Sequence, residues 1–121
     1  GATVIDDYAH HPTEMTATLK TAREMDFDRI ICVFQSHTYS RTKALLPQFV
    51  EALKLCDKAI VADIYAAREK NTFGISGKDI ADQLDGASAK LRSRTTSSSR
   101  WAPATSTASA RSCVLTQSNL F

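Results

Sequence analysis

Glycine is scarce in this chain, four residues in 121, and none of the four builds a phosphate cradle. Neither Gly-x-x-x-x-Gly-Lys-Ser/Thr nor Gly-x-Gly-x-x-Gly occurs, so the chain has no phosphate-gripping loop of its own. Gly74-Ile75-Ser76-Gly77-Lys78 reads instead as a turn and a helix start, because its glycines lack the needed spacing. No apolar run approaches the roughly 20 residues of a membrane span. No charged start followed by an apolar core marks a signal peptide, so the expected location is the cytoplasm. Cysteine is sparse too: Cys32, Cys56 and Cys113 are odd in number and show no C-x-x-C spacing. Cys32 lies in an apolar strand run and Cys56 at a helix end, which predicts buried free thiols in a reducing compartment. A formal charge of +2 is too small an excess to argue for or against nucleic acid. The chain starts at Gly1 without an initiator methionine, which suits an excised domain or a partial gene product.

What is present is enough for one domain with a core, at 43% hydrophobic residues. Ala2 to Ile5 reads as a short strand. Pro12 then sits in the first turn of a helix, where proline is tolerated, ahead of Met15, Leu19 and Ala22 at helical spacing. Arg29 to Phe34 is a continuous apolar strand of the kind covered on both faces. Leu45, Leu46, Phe49, Val50 and Leu53 form the apolar stripe of a second helix. Lys58 to Ile64 is a third strand, and Ser76 with Asp79 three residues on caps a short third helix. This alternation predicts an α/β fold: a Rossmann-like, mostly parallel sheet flanked by helices, incomplete at its carboxy-terminal end.

The chemistry gathers at two junctions. Asp6-Asp7-Tyr8-Ala9-His10-His11-Pro12-Thr13-Glu14 and Phe34-Gln35-Ser36-His37-Thr38-Tyr39-Ser40-Arg41-Thr42 each follow an apolar strand and precede a helix. In a parallel sheet both would open on the carboxyl edge, where α/β proteins bind ligands. All three histidines fall in these junctions. A histidine beside a proline at a helix start also serves as a cap, and both readings stay open. Arg41, on the first helical turn, suits a carboxylate or phosphate together with free backbone amides. Its alternative is a solvated residue paired with an acid. Asp7, with Asp6, is either a ligand-side acid or a turn cap. No zinc set with defined spacing is present, and a cation shared with substrate phosphates would be the more plausible use of these acids. Neither Ser36 nor Ser40 lies in the Gly-x-Ser-x-Gly elbow of a hydrolase.

These two junctions, with Asp63-Ile64-Tyr65-Ala66-Ala67-Arg68-Glu69, make the chain resemble the carboxy-terminal domain of the Mur ligases. The resemblance covers roughly residues 3 to 86 with three motifs in order. Tyr8 tilts it toward the alanine-adding branch, since the branch that recycles murein peptides tends to carry Phe there. The resemblance implies a third domain of a cytoplasmic enzyme of peptidoglycan synthesis, with a UDP-sugar domain and a P-loop ATPase domain preceding it. It implies ATP-dependent formation of an acyl phosphate on UDP-N-acetylmuramate and attack by the amine of L-alanine, with Mg2+ neutralising the phosphates. ATP and Mg2+ would be held mainly by the central domain, with neither nucleic acid nor membrane involved. Carried over by position, Tyr8, His10, His37 and Arg41 would receive the L-alanine carboxylate, and Asp7, with Asp6, would lie near the nucleotide. No complete catalytic set and no metal site is expected within the chain. Arg68 and Glu69 match the third motif without an assigned role. Ser36 and Ala66 stand where the family usually has proline.

Residues 1–90 are therefore expected to form a partial domain, and residues 91–121 a disordered or out-of-frame tail. Ser, Thr, Arg and Ala crowd Ser93 to Ser112, and the short apolar end from Cys113 to Leu115 is expected not to restore the fold. Trp101 must be TGG, and a frame shifted back by one nucleotide permits Met-Gly-Ala-Gly-Asp, the turn expected of the family. Alone, the chain is expected to be inactive, either a binding module for an amino acid or nucleotide or a non-functional fragment.

Overall fold

The computed structural model describes residues 2–84, 89–92 and 112–117. In chain order these form β1 (Ala2–Asp6), α1 (Pro12–Glu24), β2 (Arg29–Phe34), α2 (Tyr39–Leu53), β3 (Lys58–Ala62), α3 (Gly77–Gln83), β4 (Ala89–Arg92) and β5 (Ser112–Gln117). One sheet of order β1-β5-β2-β3-β4 results, and every pairing in it is parallel. The α/β expectation holds.

α1 and α3 begin where the local sequence provides a capping box. His11 occupies the N-cap of α1 and accepts the Thr13 amide on Nδ1 at 3.3 Å, while Glu14 accepts the amides of His10 and His11. Those two amides hold the Glu14 carboxyl below its ordinary range. At α3 the Ser76 amide donates to the Asp79 carboxylate at 2.7 Å. Gly77 opens that helix against β3, where an added Cβ would stand 2.5 Å from the Ala62 carbonyl oxygen.

The core is built from the expected stripes. Met15, Leu19 and Ala22 of α1 and Phe49, Val50 and Leu53 of α2 are buried with Ile30, Cys32 and Phe34 of β2. The rings of Phe34 and Phe49 lie 5.2 Å apart. All three cysteines are buried and unpaired. Burial and the neighbouring Cys56 thiol push the Cys32 thiol up, so it stays protonated. Arg23 ties the far ends together: its Nε donates to the Leu55 carbonyl at 2.8 Å and its terminal nitrogen to Asp57 at 2.9 Å. Asp57 also accepts the Ile30 amide at 2.7 Å.

One expectation is corrected. Residues 91–121 do not lack order throughout, because 91–92 complete β4 and 112–117 form β5 in the sheet interior. Cys113 and Leu115 point into the core and are fully buried, and β5 pairs on one side with β1 and on the other with β2. Two parallel ladders satisfy its backbone, which outweighs the polar context around it. The Ser- and Arg-rich stretch and the codon argument at Trp101 lie outside the described residues.

Candidate functional site

Because the sheet is parallel throughout, the carboxyl ends of β1, β2 and β3 open on one edge, and all three motifs lie there. The second and third motifs are knit into one unit. His37 forms an isolated parallel bridge with Tyr65; the Thr38 amide donates to the Tyr65 carbonyl at 2.8 Å, and the Tyr65 amide to the Ser36 carbonyl at 2.8 Å. The His37 and Tyr65 rings lie 5.4 Å apart. Gln35 adds a side-chain bond to the Asp63 carbonyl at 3.0 Å. Ser36, where proline is usual, buries its hydroxyl 2.6 Å from Thr42 Oγ1, which in turn bonds the Thr38 carbonyl. That tie supplies stiffness to the loop without the proline ring. Thr38 itself adopts φ 64° and ψ 146°, a conformation that costs a residue with a Cβ.

Two polar atoms of this unit, His37 Nδ1 and Gln35 Oε1, are buried and make no hydrogen bond among the described residues. Such atoms are costly, and they concentrate where function holds them. Arg41 is half-buried on the first turn of α2 and forms no ion pair among the described residues. Its guanidinium is therefore free for an anion, and the alternative of a surface pair with an acid finds no partner here.

The first motif makes its own hollow of about 320 Å³, lined by Asp7, Tyr8, Ala9, His10, Glu14 and Thr18. Tyr8 is exposed and packs edge-on to His10 at 5.7 Å, and His10 Nδ1 lies 3.2 Å from the Tyr8 carbonyl. Of the two adjacent histidines, His11 is the helix cap and His10 faces the hollow. Asp7 accepts the Ala9 amide at 3.2 Å and the Thr18 hydroxyl at 2.5 Å, so one oxygen serves the turn and the other ties it to α1. Asp6 accepts the Thr116 hydroxyl at 3.2 Å. A larger groove of about 530 Å³ lies between α1 and α2, lined by Pro12, Thr16, Leu45 and Pro47 among others. It touches the first motif only at His11, Pro12 and Thr13, where that motif starts α1, and holds neither Tyr8, His10, His37 nor Arg41.

The structure thus divides the expected four residues into two pairs. Tyr8 and His10 sit beyond β1, and His37 and Arg41 beyond β2, with β5 between those strands. At two strand spacings the strand ends that carry the pairs stand about 10 Å apart. Residues that sequence reasoning left without a role join them: Tyr65 stacks on His37, and Glu69 accepts the Ser40 amide and hydroxyl at the start of α2. Thr116 anchors the first motif, its carbonyl accepting the Asp7 amide at 2.9 Å. Nothing in its neighbourhood of the sequence signals that role. Among the described residues no group of three His, Cys, Asp or Glu side chains is placed to hold a metal ion. With Asp7 committed to its turn, these residues do not fit a magnesium site.

A parallel sheet with polar strand-to-helix junctions at its carboxyl edge defines an α/β ligand-binding domain. The family described as Mur ligase, glutamate ligase domain, matches residues 1–120, and the chain belongs to it. UDP-N-acetylmuramate--L-alanine ligase of Agathobacter rectalis is 60% identical over 84 residues, which is 69% of this chain and 18% of that protein. The ligases of the same name from Caldanaerobacter subterraneus and Caldicellulosiruptor saccharolyticus are 58% and 52% identical over 84 residues, again 69% of this chain and 18% of each relative. The match thus spans less than a fifth of the length of these relatives. Among the described residues no helix is long and apolar enough to cross a membrane.

Proposed function

We propose that the chain is the amino-acid-receiving domain of a cytoplasmic ligase that joins L-alanine to UDP-N-acetylmuramate in peptidoglycan synthesis. The observation that carries this reading is the Arg41 guanidinium, which forms no ion pair among the described residues, four residues on from His37, whose buried Nδ1 has no partner among the described residues either. Arg41 takes the L-alanine carboxylate as a fork, His37 adds a donor, and Tyr8 and His10 close the site from β1. Held this way, the amine points at the acyl carbon; its nitrogen forms the amide as the bond from carbon to phosphate oxygen breaks and the amine proton leaves. ATP supplies the activated phosphate and Mg2+ its charge neutralisation, both held by domains beyond this chain. Asp7 and Asp6 approach the nucleotide when the domains close. Alone, the chain binds without turnover. Its functional unit is residues 1–90 completed by β5, and the Ser- and Arg-rich stretch is displaced coding sequence, which translating the source DNA in all three frames tests.

The reading is tested by a chimera in which the matched residues of the Agathobacter rectalis ligase are replaced by those of this chain. ADP release that requires both UDP-N-acetylmuramate and L-alanine supports it. Release with a murein peptide in place of L-alanine moves the chain to the recycling branch, and a folded chimera that uses neither refutes the proposal.

A further inference from the structure

The first turn of α2 lacks a cap from its own N-cap residue. Thr38 stands at that position, but its side chain makes no bond to the helix amides. An uncapped start leaves several amide donors without acceptors, and the first turn frays. Here the acceptor arrives from the neighbouring junction: Glu69 takes the Ser40 amide at 2.9 Å on Oε2 and the Ser40 hydroxyl on Oε1. The Ser40 hydroxyl and amide hold its carboxyl below the ordinary range, so it is ionised at neutral pH. A negative charge at this end of a helix is favoured by the helix dipole. Glu69 is itself placed by the turn in which its amide donates to the Ala66 carbonyl at 2.9 Å, one residue after the Tyr65 that holds His37 and Thr38.

We propose that Glu69 is a positioning residue of the amino-acid site, capping α2 from the junction after β3 and so fixing Arg41 for the incoming carboxylate. The inference rests on the reading that this edge receives L-alanine. Arg41 directly follows Ser40 in the same turn, so a frayed cap swings the guanidinium out of place. Glu69 does not touch the amino acid, since two carboxylates repel; it meets the helix end, and the ligand meets Arg41.

The test uses the full 121-residue chain, with amide exchange and L-alanine titration both followed by NMR. E69A is expected to speed exchange at Ser40 and Arg41 and to weaken L-alanine binding about fivefold, the worth of a typical cap. E69Q keeps an acceptor oxygen at the same reach and recovers most of both. S40A, which deletes only the hydroxyl bond, gives a smaller change in the same direction and serves should E69A fail to fold. Glu69 acts on the whole domain rather than on the site, and the proposal falls, if exchange quickens equally through α1 and α2. The proposal also falls if E69A and S40A bind L-alanine as the unaltered chain does. An unaltered chain in which L-alanine shifts no signal refutes the underlying amino-acid reading instead.

Discussion

Leu115 of β5 lies opposite Cys32 of β2 in the sheet, and both side chains are fully buried. Leu115, with Cys113 two residues before it, therefore closes the centre of a core whose other members come from the first 84 residues. Truncating it to L115A is expected to cost about 2–5 kcal/mol, as for other large-to-small changes in packed cores. Urea unfolding followed by circular dichroism reads this directly. V114A, at a half-buried position of the same strand, should cost clearly less. Equal midpoints for L115A and the unaltered chain would remove β5 from the core.

The same strand shows where the sequence stops being legible. The first three strands and the helices after them announce themselves, because Met15-Leu19-Ala22 and the Phe49-Val50-Leu53 stripe repeat at helical period beside long apolar runs. The junctions stand out as polar strand ends, but the sequence does not tell a ligand residue from a cap, and of the two adjacent histidines it is His11 that caps α1. β5 has neither signal. Its six residues hold a single apolar run of three, Cys113 to Leu115, too short to stand out from a Ser- and Arg-rich context, and only the gap between β1 and β2 selects them. The cap that Glu69 gives to α2 is hidden for a related reason: 29 residues separate the partners, and only the parallel alignment of β2 with β3 brings them together.

Asp57 gives a pH-dependent signature. Burial raises its carboxyl, but the Arg23 guanidinium and the Ile30 amide outweigh that and hold it below the ordinary value. A carboxyl lowered in the folded state contributes stability at pH values above its unfolded pKa, and that contribution disappears as pH falls through the folded one. D57N is therefore expected to cost about 1 kcal/mol at neutral pH, since the Arg23 pair is solvent-screened and the Ile30 amide bond supplies most of the effect. The gap between the two proteins should close as the pH drops below the usual carboxylate range. Thermal melts from pH 7 to pH 3 check this, and a gap that widens in acid would contradict the assignment.

Arg41 should separate amino-acid recognition from the rest of the reaction. In the chimeric ligase, R41A is expected to raise the KM for L-alanine at least about tenfold, the loss of a charge-assisted pair. The KM for ATP should hardly move. R41K keeps the charge but not the planar fork, so it should recover only part of the loss. An unchanged KM for L-alanine in R41A would place the carboxylate elsewhere on the edge.

Thr38 sets the strain of the site against its stability. At φ 64° and ψ 146° its Cβ is crowded, a cost of about 1–3 kcal/mol that the bonds to Tyr65 and Thr42 sustain. Glycine removes the crowding and loses only about 0.5–1 kcal/mol through the freer unfolded chain. T38G is thus expected to stabilise the domain by about 1 kcal/mol in urea. The same freedom loosens the turn that carries His37 and starts α2, so L-alanine binding should weaken although the protein is harder to unfold. Measuring both on one sample decides the matter, because a variant gaining stability with unchanged affinity would show that the strain serves packing alone. A variant losing stability would show that Thr38 is comfortable in its turn, and the opposition between the two would vanish.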